Sequence, residues 1–451
     1  MNRRWWGVSA LLFVTAVASA ATADTPEGEL SDPYGYTRSV RRAELGALQA
    51  MGKTQGAKGL LGQTGFYRVR GEIDRSSKAA EQCLQAVANE PREQVKGIEY
   101  LCAASLAGNL LIQGDIAGWA TQMIQVRTLL DRDIRPMLKQ QAGDIHLAGI
   151  SEPHFERFTA WPRTALAAQT PPSDIHVPIQ LQNELPTLSL KMRTKAGERE
   201  LRVHVDSGAA HSRIGRTLAA ELGLELTEGF MVADGKAGAV YALASPVTLD
   251  IGSVLVRDVS FAVLGKDDLP RIGLDVLRAL GRVRINQNAL VIQAAASPVP
   301  CARRMATLSS LWGDAYDVRY PIRAGKQNVL VKVDTGFNGG FQARGTLPAR
   351  PPAAAIRRKN VITTEGSEDI QYVEATTPVM IGDEVLNLPM DIGLSPGPRP
   401  LFNPEWRLGF ASTQRYSLYM DVAGTYGCPV AVAEAPPLLP PKPVTAPPTG
   451  D

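Results

Sequence analysis

The sequence predicts a multidomain chain, with an α-helical N-terminal domain followed by two mostly-β lobes. Three observations predict it. Apolar residues recur at helix spacing from about residue 37 to 165. Short alternating or apolar runs, split by Gly, Asp and Pro, begin at about 174. The β part is also written twice. With 451 residues, 44% of them hydrophobic, the chain can bury two or three separate cores.

The N-terminus reads MNRRWWGVSALLFVTAVASAATAD. Arg3 and Arg4 supply a charged start and Gly7–Val17 an apolar stretch. Ala18-Ser19-Ala20 or Ala21-Thr22-Ala23 offers the small side chains a signal peptidase needs. Residues 1–23 are therefore expected to be a removed signal peptide, because the apolar run is short for a membrane anchor. The mature chain is expected to be exported, periplasmic or secreted, with no stable membrane span.

Residues 24–165 read as a helical accessory domain. Ala80, Cys83, Leu84 and Val87 mark one helix. Val95, Ile98, Cys102 and Leu106 mark a second, and Ile116, Trp119, Met123, Ile124 and Leu130 a third. Pro91 turns the chain between the first two. Folding back about that turn sets Cys83 beside Cys102, as a disulfide or as two buried thiols. The three helices weakly resemble a tetratricopeptide-like array, without its repeat signature.

Residues 174–296 form the first β lobe, with LPTLSLKM, ERELRVHV, PVTLDIG, VSFAVLG and GRVRINQNALVIQ as its runs. AAASPVPC is a linker, and 297–433 form the second lobe. Residues 434–451 are Pro-rich and expected to be an extended, unpacked tail. The lobes align. KAGERELRVHVDSG (Lys195–Gly208) lies over RAGKQNVLVKVDTG (Arg323–Gly336) without a gap, and LDIGSVLVRDVSFAV (Leu249–Val263) resembles VMIGDEVLNLPMDIG (Val379–Gly393). Next, IGLDVL (Ile272–Leu277) is set against FNPEWR (Phe402–Arg407), with Asn403 at the place of Gly273.

One Asp-Ser/Thr-Gly reads as a turn with the Asp bonding its own backbone. Two copies in matching frames at strand ends point to paired carboxyls, Asp206 and Asp334. Two carboxyls sharing one proton can activate a water and protonate a carbonyl oxygen together. Gly208 and Gly336 would let the backbones approach, and Ser207 and Thr335 would hold the pair by hydrogen bonds.

These segments resemble retropepsin-type aspartic proteases, and the tandem resembles the two-lobed pepsin arrangement within one chain. HVDSGAAHS and RIGLDVLRALG carry the resemblance. So does the polar hairpin VADGKAGAVYA (Val232–Ala242), where such enzymes have a flap, here Asp234, Gly235, Lys236, Ala237 and Gly238. The resemblance covers about 250 residues. It implies retropepsin-like acid protease lobes and an exported aspartic endopeptidase, with an extended peptide or protein substrate bound beneath the flap. It also implies a disulfide between Cys301 and Cys428, which bracket lobe 2; from the count alone, four cysteines allow three pairings.

Lobe 2 departs from the pattern in two places. Phe337 follows Asp-Thr-Gly where a small residue is usual, and LFNPEW carries no Gly. Two alternatives follow: a noncatalytic peptide-binding scaffold on the same fold, or a protease active only as a lobe 1 homodimer. The helical domain would recruit substrate, cover the cleft before activation or dock to an envelope partner.

Other chemistries fit less well. GLSPG (Gly393–Gly397) matches a nucleophile elbow, but Pro396 has no N–H for an oxyanion hole. His204 and His211 flank Asp206, yet Ser207 on the same strand points the other way. No Cys or His spacing suits a metal, and no phosphate or dinucleotide loop predicts a cofactor. A net charge of +3, with no basic run, gives no reason to expect nucleic acid.

Overall fold

The computed structural model describes residues 35–136, 154–163, 166–234, 236–264, 269–301, 303–324, 327–344, 355–363, 366–381, 384–393 and 406–432. The expected signal peptide and Pro-rich tail lie outside the described residues, as does Ser395 of GLSPG.

The N-terminal region folds as helices α1 (Tyr36–Arg41), α2 (Leu45–Gly52), α3 (Gly56–Val69), α4 (Ile73–Val87), α5 (Arg92–Gln113) and α6 (Ile116–Leu129). The last three are those marked by apolar spacing. In α4 the buried positions Ile73, Ser76, Ala80, Cys83 and Val87 form one stripe. Pro91 precedes α5, as expected for a residue that cannot donate a helical hydrogen bond. Asp115 caps α6 by accepting from the Gly118 N–H at 2.8 Å. The antiparallel crossing of α4 and α5 joins Cys83 to Cys102, whose Cα atoms are 6.2 Å apart. In α3, glycines at 56, 59, 62 and 65 dilute the apolar pattern that would have marked it.

From Ile175 onward the chain is β-rich. In lobe 1 the hairpin Leu185–Thr194/Gly197–Val205 is the spine of a ten-stranded sheet. Val247–Ile251 alternates buried and half-buried residues, the period-2 pattern of a strand with one face in a core. In lobe 2 the hairpin Tyr316–Ala324/Gln327–Asp334 plays the same part in an eight-stranded sheet. A third, five-stranded sheet is built by both lobes. Its middle pair sets Arg282–Ile285 of lobe 1 antiparallel to Tyr416–Asp421 of lobe 2, and Ala289–Ile292 and Tyr426–Ala431 flank it. Fully buried Val283, Ile285, Leu290, Leu418 and Met420 fill this sheet, each contributing roughly 1.5–3 kcal/mol by burial. Cys428, on its outer strand, is bonded to Cys301 at the entry to lobe 2.

The helices are joined to both lobes. Arg68 of α3 is 1% exposed and donates to Ser309 Oγ (2.7 Å) and the Ser310 carbonyl (2.7 Å) of lobe 2, and to the Ser105 carbonyl of α5 (3.0 Å). Burial pushes its guanidinium down to about 10, with Tyr36 and Asp314 acting in the opposite direction. On lobe 1, Phe230 lies in a cluster of edge-on rings with Trp119 and Phe158. Phe230, Leu243 and Ala262 of lobe 1 thus belong to the same apolar core as the helices.

Candidate active site

Asp206 follows the strand Gly197–Val205, and Asp334 is the last residue of the strand Gln327–Asp334. Each carboxylate thus stands where a core strand gives way to a turn.

The two Asp-Ser/Thr-Gly turns meet between the lobes. The Ser207 N–H donates to Thr335 Oγ1 (3.0 Å), and the Thr335 N–H donates to Ser207 Oγ (3.0 Å). Each hydroxyl donates in turn to a carbonyl of the opposite lobe: Thr335 to Val205 at 2.7 Å, Ser207 to Val333 at 3.1 Å. Both side chains are fully buried, so these bonds satisfy groups that water cannot reach. The glycines that follow face the opposite carboxylates. A Cβ at Gly208 would lie 2.2 Å from Asp334 Oδ1, and one at Gly336 would lie 2.3 Å from Asp206 Oδ1. Only glycine admits that approach. Asp206 Oδ1 also accepts from the N–H groups of Gly208 (2.9 Å) and Ala209 (3.1 Å).

A second strand crosses beside each aspartate. In lobe 1, Arg271 and Ile272 run parallel to His204 and Val205; in lobe 2, Arg407, Leu408 and Gly409 run parallel to Lys332, Val333 and Asp334. This register corrects the alignment read from sequence. The counterpart of Gly273 is Gly409, in RLGF, and not Asn403. The backbone repeats the equivalence: Leu274 N–H donates to the Ala209 carbonyl and Phe410 N–H to the Phe337 carbonyl, both at 2.8 Å. A Cβ at Gly273 would meet Ala209 O at 2.8 Å, and one at Gly409 would meet Gly339 O at 2.2 Å. Lobe 2 therefore keeps the glycine at its crossing. Phe337 is accommodated by turning its ring into a small core with Val361 and Ile370.

The electrostatics were not legible in the sequence. Arg271 Nη1 stands 3.5 Å from Asp206 Oδ2, with both side chains almost wholly buried. Asp334 Oδ2 has two cations beside it, Arg407 Nε at 3.4 Å and Lys332 Nζ at 3.6 Å. Lys332 also donates to the Gly208 carbonyl across the lobes (3.1 Å). Arg-aliphatic-Gly recurs at 271–273 and 407–409, which marks the paired crossings but not the carboxylate that each arginine faces. Asp275, the Asp of RIGLDVLRALG, and Ser212 form a further contact that the motif alone does not assign. Asp275 accepts from the Ser212 N–H (2.8 Å) and Ser212 Oγ (2.7 Å), pinning the loop after Asp206 to the helix Leu274–Ala279.

His204 is buried, with Nδ1 3.4 Å from the Pro186 carbonyl. His211 is buried against the Phe230 ring and donates from Nε2 to the Gly313 carbonyl of lobe 2 (3.3 Å). Burial holds its imidazole below the ordinary value, against the opposing pull of Asp275. The segment expected as a flap is a hairpin of Leu226–Asp234 and Lys236–Ala244, with Asp234 opposite Lys236 and with Ala237 and Gly238 on the return strand. Gly235 lies outside the described residues.

Residues 192–277 match the family model described as aspartyl protease. Among solved structures, the aspartic proteinase from Irpex lacteus is similar at 12% identity and a TM-score of 0.38, over 58% of this chain and 98% of that one. Basic 7S globulin from soybean is similar at 12% identity and a TM-score of 0.34, over 58% and 95%. Conglutin gamma from lupine seeds is similar at 10% identity and a TM-score of 0.33, over 59% and 96%. A comparison with curated proteins finds no match. The chain is a helical N-terminal region followed by β-rich sheets, and its residues 192–277 carry the sequence pattern of the aspartyl protease family.

Proposed function

We propose that the protein is an exported aspartic endopeptidase that hydrolyses peptide bonds with Asp206 and Asp334. The observation that carries this reading is the reciprocal bonding of Ser207 and Thr335, with Gly208 and Gly336 each against the opposite carboxylate. In the reaction, the ionised carboxylate takes a proton from water as its oxygen attacks the peptide carbon. The protonated partner gives its proton to the carbonyl oxygen. Collapse of the tetrahedral species breaks the C–N bond, and the amine leaves with a proton from the dyad. Export is supported by the leader-like N-terminus and the two disulfides. Among the described residues, no helix is long and apolar enough to cross a membrane.

Lobe 2 supplies Thr335 and Gly336 where a second copy of lobe 1 would otherwise have to supply its own turn, which favours one chain over a lobe 1 homodimer. A noncatalytic peptide-binding role is favoured by one observation: both carboxylates are already ion-paired, to Arg271 and to Lys332 with Arg407.

The test is digestion of a diverse peptide mixture by oxidised residues 24–451, wild type, Asp206→Asn and Asp334→Asn, from acid to neutral pH, with new ends read by mass spectrometry. Loss of cleavage in both variants is the expected result. Loss in Asp206→Asn alone would favour the homodimer, and no cleavage by wild type would favour the binding role.

A further inference from the structure

The two halves of the site present their cations differently. In lobe 1 the Arg271 side chain beside Asp206 is 3% exposed and so almost wholly buried. In lobe 2 the ion pairs of Lys332 and Arg407 both end on Asp334, so two positive charges stand against one carboxylate. These cations are also more open, with side chains 14% and 18% exposed. Lys332 lies two residues before Asp334 on one strand, so its side chain leaves the same face of the sheet as the carboxylate. The equivalent residue of lobe 1 is His204, which turns to the Pro186 carbonyl. Arg407 lies over the Phe337 ring, 4.9 Å from its centroid, which fixes its guanidinium beside Asp334.

A peptide bond brought to both carboxylates therefore lies near two partly exposed positive charges on the lobe 2 side. Partly buried charge of one sign attracts its opposite strongly and disfavours its like. Resting on the protease reading, we infer that Lys332 and Arg407 are specificity-determining residues. They select a substrate with an acidic side chain on the one side of the scissile bond that lies over lobe 2.

The test compares peptides that carry Glu, Gln, Leu or Lys at each of the two residues flanking a cleaved bond. Wild type is expected to prefer Glu over Gln by roughly tenfold or more in kcat/KM at one of those positions only. The preference should shrink with added salt and fall to about twofold or less in Lys332→Met, which keeps an unbranched apolar side chain. The wild-type peptide series does not depend on the variant folding. Cleavage without an acidic preference, or with equal preference at both positions, overturns the inference and leaves the protease reading standing. If no peptide is cleaved, the protease reading fails. Fluorescence anisotropy with the same peptides then decides whether Lys332 and Arg407 select an acidic side chain: tighter binding of the Glu peptide, lost in Lys332→Met, upholds that selection without cleavage, and equal or absent binding overturns it.

Discussion

At the scale of single residues, the interlobe hydroxyls and His211 make the sharpest predictions. Thr335→Val removes the acceptor for the Ser207 N–H and the donor to Val205, leaving two buried backbone groups unsatisfied. A loss of about 1–3 kcal/mol is expected in urea unfolding, largely restored by Thr335→Ser, which keeps the hydroxyl. His211 gives a pH dependence of definite sign. Its buried imidazole is held below its unfolded value, so the unfolded chain binds more protons in mild acid. The stability it contributes is present above about pH 6.5 and is lost as pH falls through the native value. Asp275 and Asp314 oppose this depression and Arg213 adds to it. Thermal melts of wild type should drop below that pH more steeply than those of His211→Gln.

At the scale of elements, the repeated strand–turn–strand unit is what places the two carboxyls. Gly409→Ala sets a methyl 2.2 Å from the Gly339 carbonyl and 2.4 Å from the Phe337 ring, where neither neighbour can retreat without moving the Asp334 turn. We expect a loss of about 1–3 kcal/mol by denaturant titration, and a similar loss for Gly273→Ala in lobe 1. A silent Gly409→Ala would contradict the equivalence of the two crossings. Here spacing and register disagree. Carrying the sequence alignment on from VMIGDEVLNLPMDIG leads to Asn403, whereas the hydrogen-bonded register leads to Gly409. Insertions shift sequence distance without shifting register, so spacing misleads where a lobe has grown.

At the scale of the whole molecule, the helical region is part of the fold. Arg68 is buried among groups of lobe 2, and Phe230 of the strand Leu226–Asp234 packs on Trp119 and Phe158. Deleting residues 24–165 would expose that core and strip Arg68's partners of their donor. The expected outcome is an insoluble or non-cooperatively melting product, where the full chain shows one transition. A soluble, cooperatively folded pair of lobes would instead mark the helices as a removable pro-segment. The disulfides act at the same scale. The Cys301–Cys428 link closes a separation of 127 residues and the Cys83–Cys102 link one of 19. By chain entropy, they are worth about 5 and about 3 kcal/mol.

Local pattern was enough for the helix-then-two-lobes layout, for the two aspartates with their hydroxyl and glycine companions, and for the Cys83–Cys102 neighbourhood. Each is written in a short stretch of chain: helix or strand period, a turn motif, a hairpin about a proline. The gathering of Arg271, Lys332 and Arg407 at the carboxylates, the completion of lobe 2 by Gly409, and the hold of the helices on the strand of Phe230 came only with the folded molecule. Those facts depend on which strands lie side by side and which cores merge. Such contacts form between residues far apart in the chain, where no local period records them.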